Sequence, residues 1–221
     1  MVLVTTFELS LLMDIDGSGA HVHISVRKIP ESPPPIWSDK SPLNTVEAHF
    51  LAGLLEHLQA LIAFTLPLPQ SYGRMADGIH AGGTWVCWGI DNREAPIRLT
   101  NEASPKSRNF EIKTIDGTSN PHLVLAGLVA AGIIGIRDQL KLTHENCASG
   151  KTAAEMTREE REEMGIRRRL PLNVEMARKC LLEDEKVKEL LGHEIVKVFV
   201  QVNEVCGLPH DEPQNLMPVR L

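Results

Sequence analysis

The stretch from Pro121 to about Leu140 constrains the fold most. It carries Leu123, Leu125, Ala126, Leu128, Val129, Ala130, Ala131, Ile133 and Ile134, with no formal charge before Arg137. A helix apolar on every side is expected to be buried all round, so the chain must supply packing partners on more than one flank. One partner is a second helix from about Thr45, read as its cap, with Glu47 acidic in the first turn. There Phe50, Leu51, Leu54, Leu55, Leu58, Leu61 and Ile62 recur at helical spacing until Pro67 and Pro69 end it.

Strands supply the rest. From Ala20 to Val26 the sequence alternates strictly, putting His21, His23 and Ser25 on one face and Val22, Ile24 and Val26 on the other. Short runs at Thr84–Gly89, Pro96–Thr100 and Phe110–Thr114 read as further strands. Lys151 to Arg169 is mixed in charge and reads as a surface segment with exposed helical turns. Glu183 to about Val205 reads as one amphipathic helix with Val187, Leu190, Leu191, Ile195, Val198 and Phe199 on its apolar face. The order strand, helix, strands, helix, helix predicts an α+β fold.

Composition narrows the partners. A formal charge of −6 and a pI near 5.9 argue against a broad electrostatic grip on nucleic acid or an anionic membrane. No apolar stretch is read as reaching the roughly 18 residues of a spanning helix. Residues 1–13 lack a basic n-region and are read as a strand rather than a signal peptide. Cys87, Cys147, Cys180 and Cys206 form no CxxC pair and fit buried thiols in a reducing compartment. A cytoplasmic location is the expectation.

Three constellations can carry chemistry. His21 and His23 sit about 7 Å apart on one strand face, a spacing that serves a shared metal, a metal beside an anion, or simply two solvated imidazoles. Arg74, Arg93, Arg98 and Arg108 lie in or beside short segments and could hold a polyanion bidentately, or make surface ion pairs. Glu111 and Lys113 share a strand face, as a salt bridge or as a metal ligand beside a phosphate-binding cation. No nucleophile elbow, Walker loop, GxGxxG turn or zinc-knuckle spacing is present in the sequence.

In collinear order, Asp16-Gly-Ser-Gly-Ala-His-Val-His-Ile-Ser25, Phe50-Leu-Ala-Gly-Leu-Leu55, Ser71-Tyr-Gly-Arg74, Asn92-Arg-Glu-Ala-Pro-Ile-Arg98, Phe110-Glu111 and Asp116-Gly-Thr-Ser-Asn-Pro121 resemble the C-terminal part of the glutamine synthetase catalytic domain. Leu170-Pro171 and Leu191-Gly192 continue the register, and the Asn92–Arg98 segment leans toward the prokaryotic-type and fungal glutamine synthetase-like branch. The resemblance implies a partial catalytic barrel, a curved antiparallel sheet flanked by helices, over residues 14–205. Residues 1–13 would precede it as a strand, and 206–221 would follow as a loose tail.

The same resemblance implies ATP- and divalent-metal-dependent ligation of glutamate to ammonia or another amine through a γ-glutamyl phosphate. ATP and Mg2+ or Mn2+ would be the cofactors. His21 and Glu111 would be metal ligands, and His23, Ser25, Arg93 and Asn109 would face the nucleotide. Asp16, Gly17, Arg74, Arg98 and Lys113 would face the glutamate. Arg74, His80, Arg93 and Arg98 would act in catalysis. The sequence departs from the family pattern at Asp16 (usually asparagine), His80 (usually a glutamate that accepts a proton from ammonium), Asn109 and Lys113 (often arginines). Nothing in it matches the family's N-terminal β-grasp domain or its Glu-x-Glu strand. The site is therefore expected to be incomplete alone, and the chain to form a homo-oligomer or to assemble with a complete homologue. A non-catalytic, nucleotide-binding or structural subunit is the rival reading, and an unrelated metal hydrolase on His21, His23 and Glu111 a third.

Overall fold

In a computed structural model of the protein, described residues are 20–27, 42–78, 82–147 and 150–206. The strand expected at 1–13, the Asp16–Gly19 turn, the proline-rich loop, His80 and the tail from Leu208 lie outside them.

Eleven elements follow in order: β1 (Ala20–Ile24), α1 (Thr45–Thr65), a 3-10 turn (Pro69–Arg74), β2 (Trp88–Ile90), β3 (Ile97–Thr100), β4 (Asn109–Ile115), α2 (Pro121–Arg137), α3 (Arg158–Glu163), α4 (Val174–Glu183), α5 (Glu185–Leu191) and α6 (His193–Cys206). The four strands form one sheet in the order β1-β4-β3-β2. The fold is α+β, as expected. The sheet, however, is mixed: β1–β4 and β3–β4 are antiparallel, whereas β2 and β3 run parallel. Parallel neighbours usually need a crossover of a dozen residues or more, but these strands are so short that the 91–96 turn returns the chain. Asp91 aids it with a left-handed φ of 49°.

α1 lies against the sheet's apolar face, where Phe50 stacks on Phe110 at 6.0 Å. Its cap is Asn44 rather than Thr45. The Asn44 side chain accepts from the Glu47 N–H and the Glu47 carboxylate accepts from the Asn44 N–H, a capping box. By length and mean hydropathy α1 could cross a membrane, against the expectation that no apolar stretch is long enough. Of its most apolar window, 78% is buried inside the protein, as in a core helix.

α2 meets α1 at backbone distance. A Cβ on Gly135 would lie 2.1 Å from the His49 carbonyl oxygen, and one on Gly132 would enter the Phe50 ring. α2 is not buried all round: Val124, Leu128, Ala131 and Ile134 face the core, while Leu125, Val129 and Ile133 form an exposed stripe. The expected single helix from Glu183 is two, α5 and α6, because Glu183 ends α4, Asp184 caps α5 and Gly192, with φ of 97°, ends it before α6 begins. On α6, Ile195, Val198, Val202 and Val205 are exposed, and with Leu123 and Phe199 several of them line a shallow apolar groove.

A smaller buried cluster behind β2 comprises Cys87, Ala95, Cys147, Ala153 and Ile166. The expected strand over 84–89 shrinks to Trp88–Ile90, with Trp85 making an isolated bridge to Arg169.

Candidate functional site

The sheet has an apolar face and a polar one. Val22, Ile24, Ile97, Leu99, Phe110 and Ile112 belong to the core cluster. Their alternating neighbours His21, His23, Arg98, Glu111 and Lys113 therefore occupy the other face. Cross-strand pairing sets His23 opposite Glu111 and Glu111 opposite Arg98, so three chemistries meet in one row. Next to that row the register slips: Val22 pairs with Ile112 but Ala20 with Ile115. Lys113 and Thr114 thus oppose His21 alone, forming a bulge that returns Ile115 to the core while keeping Lys113 on the site face.

Glu111 is the hub, only 4% exposed. Its Oε1 lies 2.8 Å from His21 Nδ1 and its Oε2 2.6 Å from Arg98 Nε. The Arg98 contact is a charge contact without hydrogen-bond alignment, leaving both atoms short of a directed partner. A carboxylate only accepts, so His21 Nδ1 carries the proton, and the lone pair of Nε2 is left for a ligand. Burial lowers the His21 pKa, Glu111 opposes that, and Lys113 and Arg74 add to it. Burial likewise lowers Lys113, against Glu111 and with Arg98, Arg93 and Arg74. Lys113 is 3% exposed.

Arg74 closes the 3-10 turn, half-buried, and its Nη1 donates to the Ile115 carbonyl at 3.3 Å. Its pKa is lowered by burial, with Asp116 opposing. Arg93 is exposed on the turn after β2. Arg74, Arg93 and Arg98 thus all lie near enough to act on Lys113, and Arg98 also touches Glu111, a concentration of positive charge that draws anions.

Three of the four nucleotide-facing candidates, His23, Ser25 and Asn109, gather at the other end of β1, apart from Arg93. His23 Nδ1 lies 2.7 Å from Asn109 Oδ1, Asn109 Nδ2 donates to the Ser107 carbonyl at 2.9 Å, and Ser25 Oγ donates to the Arg108 carbonyl at 3.0 Å. Arg108 does not join the anion-facing set. It is buried and pairs with Glu47 at 2.8 Å, tying the strand to the cap of α1. Asp16, Gly17 and His80 fall outside the described residues.

Whether a divalent ion fits can be tested on the donors. Among the described residues no three His, Cys, Asp or Glu side chains converge, and His21 and Glu111 already bind each other. Magnesium demands near-octahedral oxygen ligation. These residues alone do not form such a cage.

Sequence reading passed over two supports. Asn92 is buried, accepts from the Glu94 N–H at 2.9 Å and donates Nδ2 to the Cys147 carbonyl at 2.9 Å, so it shapes the turn bearing Arg93. An asparagine two residues before an N–H it can cap is a readable turn signal. Asp77 receives the Thr84 N–H at 3.0 Å and pairs with Arg169 at 3.0 Å, while Arg169 and Arg161 both stack on Trp85. Nothing in the sequence joins residues so far apart.

This sheet face presents imidazoles, a buried carboxylate and clustered cations together. A family profile described as "Glutamine synthetase, catalytic domain" matches residues 2–205. The chain belongs to the glutamine synthetase catalytic-domain family. Protein fluG of Emericella nidulans is 38% identical over 186 residues, 84% of this chain and 19% of that one. Glutamine synthetase of Clostridium saccharobutylicum is 35% identical over 189 residues, covering 86% of this chain and 41% of the other. That of Pyrococcus woesei is 34% identical over 193 residues, with the same coverages of 86% and 41%. A solved structure titled "Apo GmaS without ligand" superposes with a TM-score of 0.68 at 25% identity, over 90% of this chain and 43% of that chain. The chain thus spans about two fifths of the glutamine synthetases it matches.

Proposed function

We propose that this chain supplies the anion-binding half of an ATP-dependent glutamate–amine ligase site. The observation that carries the reading is the polar sheet face on which Glu111 is flanked by His21, Arg98 and Lys113. In the reaction the γ-carboxylate of glutamate attacks the terminal phosphorus of ATP, giving γ-glutamyl phosphate and ADP. Ammonia or another amine then displaces phosphate. Two polyanions must approach each other, and Arg74, Arg98 and Lys113 lower that cost by countering carboxylate and phosphoryl charge. Arg93, His23, Ser25 and Asn109 would meet the nucleotide, Asp16 and Gly17 the amino acid, and His80 would take a proton from the amine. Mg2+ or Mn2+ would need donors beyond the described residues, so no step is assigned to the metal.

Exposed apolar stripes on α2 and α6 support assembly with a further chain, a second copy or a complete relative. The free thiols fit a cytoplasmic setting.

Calorimetry with ATP, with and without manganese, tests the reading. Saturable, manganese-dependent binding that weakens at least tenfold in Arg98→Ala is expected. Mixing the chain with the N-terminal portion of a complete glutamine synthetase should then yield phosphate release that requires both glutamate and ammonium. No ATP binding by the folded chain would overturn the proposal. A second reading, a non-catalytic subunit, is favoured by the absence of a three-donor cluster among the described residues. Nucleotide binding without turnover in the reconstituted mixture would select it.

A further inference from the structure

Two thiols behind β2 have no part in that reaction. Cys87 and Cys147 are 3% and 1% exposed and share the small cluster with Ala95, Ala153 and Ile166. The backbones there are close: the Cys147 N–H donates to the Trp88 carbonyl at 3.0 Å, and a Cβ on Gly89 would lie 2.2 Å from the Cys147 carbonyl oxygen. The two side chains belong to that one cluster, and each thiol shifts the other's hold on its proton, Cys87 upward and Cys147 downward.

From this juxtaposition we infer that Cys87 and Cys147 form a reversible dithiol–disulfide site that clamps residues 144–147 onto β2 and the Arg93 turn. The inference does not rest on the ligase reading. Beside Cys147 and buried, Cys87 holds its proton well above the ordinary thiol range, while Cys147 is lowered by Cys87. Cys147 is therefore the attacking thiolate. With a hydroperoxide as oxidant, the Cys147 thiolate attacks one peroxide oxygen and the O–O bond breaks. With hydrogen peroxide this gives Cys147 sulfenic acid and, after proton uptake, water. The Cys87 sulfur then attacks the sulfenic sulfur, forms the S–S bond, loses its proton and expels a second water. Two thiols are oxidised, one peroxide is reduced, and dithiothreitol reverses the change.

The clamp reaches the site face by a short path. The Cys147 carbonyl holds Asn92, which holds the Glu94 N–H beside Arg93. Fixing Cys147 to Cys87 therefore restricts the turn that presents Arg93.

The test treats the whole chain with hydrogen peroxide, then blocks free thiols and maps peptides without reduction. A Cys87–Cys147 linked peptide is expected, dithiothreitol-sensitive, appearing before any change at Cys180 or Cys206. Cys87→Ser should leave Cys147 as a sulfenic acid trapped by dimedone, and Cys147→Ser should leave Cys87 as a thiol. Hydrogen exchange at residues 92–95 should slow at least threefold on oxidation of the wild-type chain, a readout that needs no variant to fold. Oxidation of Cys180 with Cys87 and Cys147 left as thiols would overturn the site. So would conversion of the two to separate sulfinic acids. Unchanged exchange at 92–95 in the linked protein would overturn the clamp.

Discussion

The two faces of one sheet obey different rules. On the core face Ile97, Leu99, Phe110 and Ile112 are buried against α1 and gain stability from every contact. On the opposite face Glu111 and Lys113 are just as buried, yet Glu111 Oε2 and Arg98 Nε touch without hydrogen-bond alignment. Buried charges are costly unless fully paired. The polar face therefore holds buried charge that packing alone would not favour.

Four tests, using five substitutions, would break or sharpen that contrast. Ile112→Ala on the core face should cost about 3 kcal/mol by loss of burial and a residual cavity, read as a fall in the urea midpoint. Glu111→Gln on the polar face should cost only about 1–2 kcal/mol, since His21 and Arg98 retain some solvent, while weakening ATP binding more than tenfold. Equal stability losses for the two variants would erase the distinction.

Third, burial lowers both His21 and His144 below the ordinary 6.5, and Arg168 and Arg167 add to the effect at His144. The unfolded chain takes up protons as pH falls through about 6.5 while the folded chain resists, so stability is fully present above that pH and declines below it. His21→Gln and His144→Gln should each flatten the slope of melting temperature between pH 6.5 and 5. A wild-type chain equally stable at both values would contradict this. Smallest is Arg158→Ala, which removes an exposed i,i+4 pair with Glu162 and should shift stability by at most about 0.5 kcal/mol.

Legibility followed the range of the interaction. Strict alternation put His21 and His23 on one face, and the structure keeps them there because the pleat has a period of two whatever the sheet does. The amphipathic run after Glu183 showed its apolar residues, but a left-handed Gly192 broke it where the pattern runs on. For α2, composition gave apolarity without a face: which side stays exposed depends on where α1 packs. Arg108 and Arg98 look alike in sequence. One is spent on Glu47 and the other stands beside Glu111, because Glu47 arrives from a distant helix.

By itself the sequence determined the helix and strand periods, the polar face of β1 and, through ordered motifs, the glutamine synthetase family. These are local regularities, written in the spacing of neighbouring residues. Only the tertiary structure decided the parallel β2–β3 pair, the bulge at Lys113 and Thr114, the pairing of Glu111 with two bases, and the meeting of Cys87 with Cys147. Each of those depends on closing a long loop and on competition among alternative partners. Spacing along the chain does not encode that outcome.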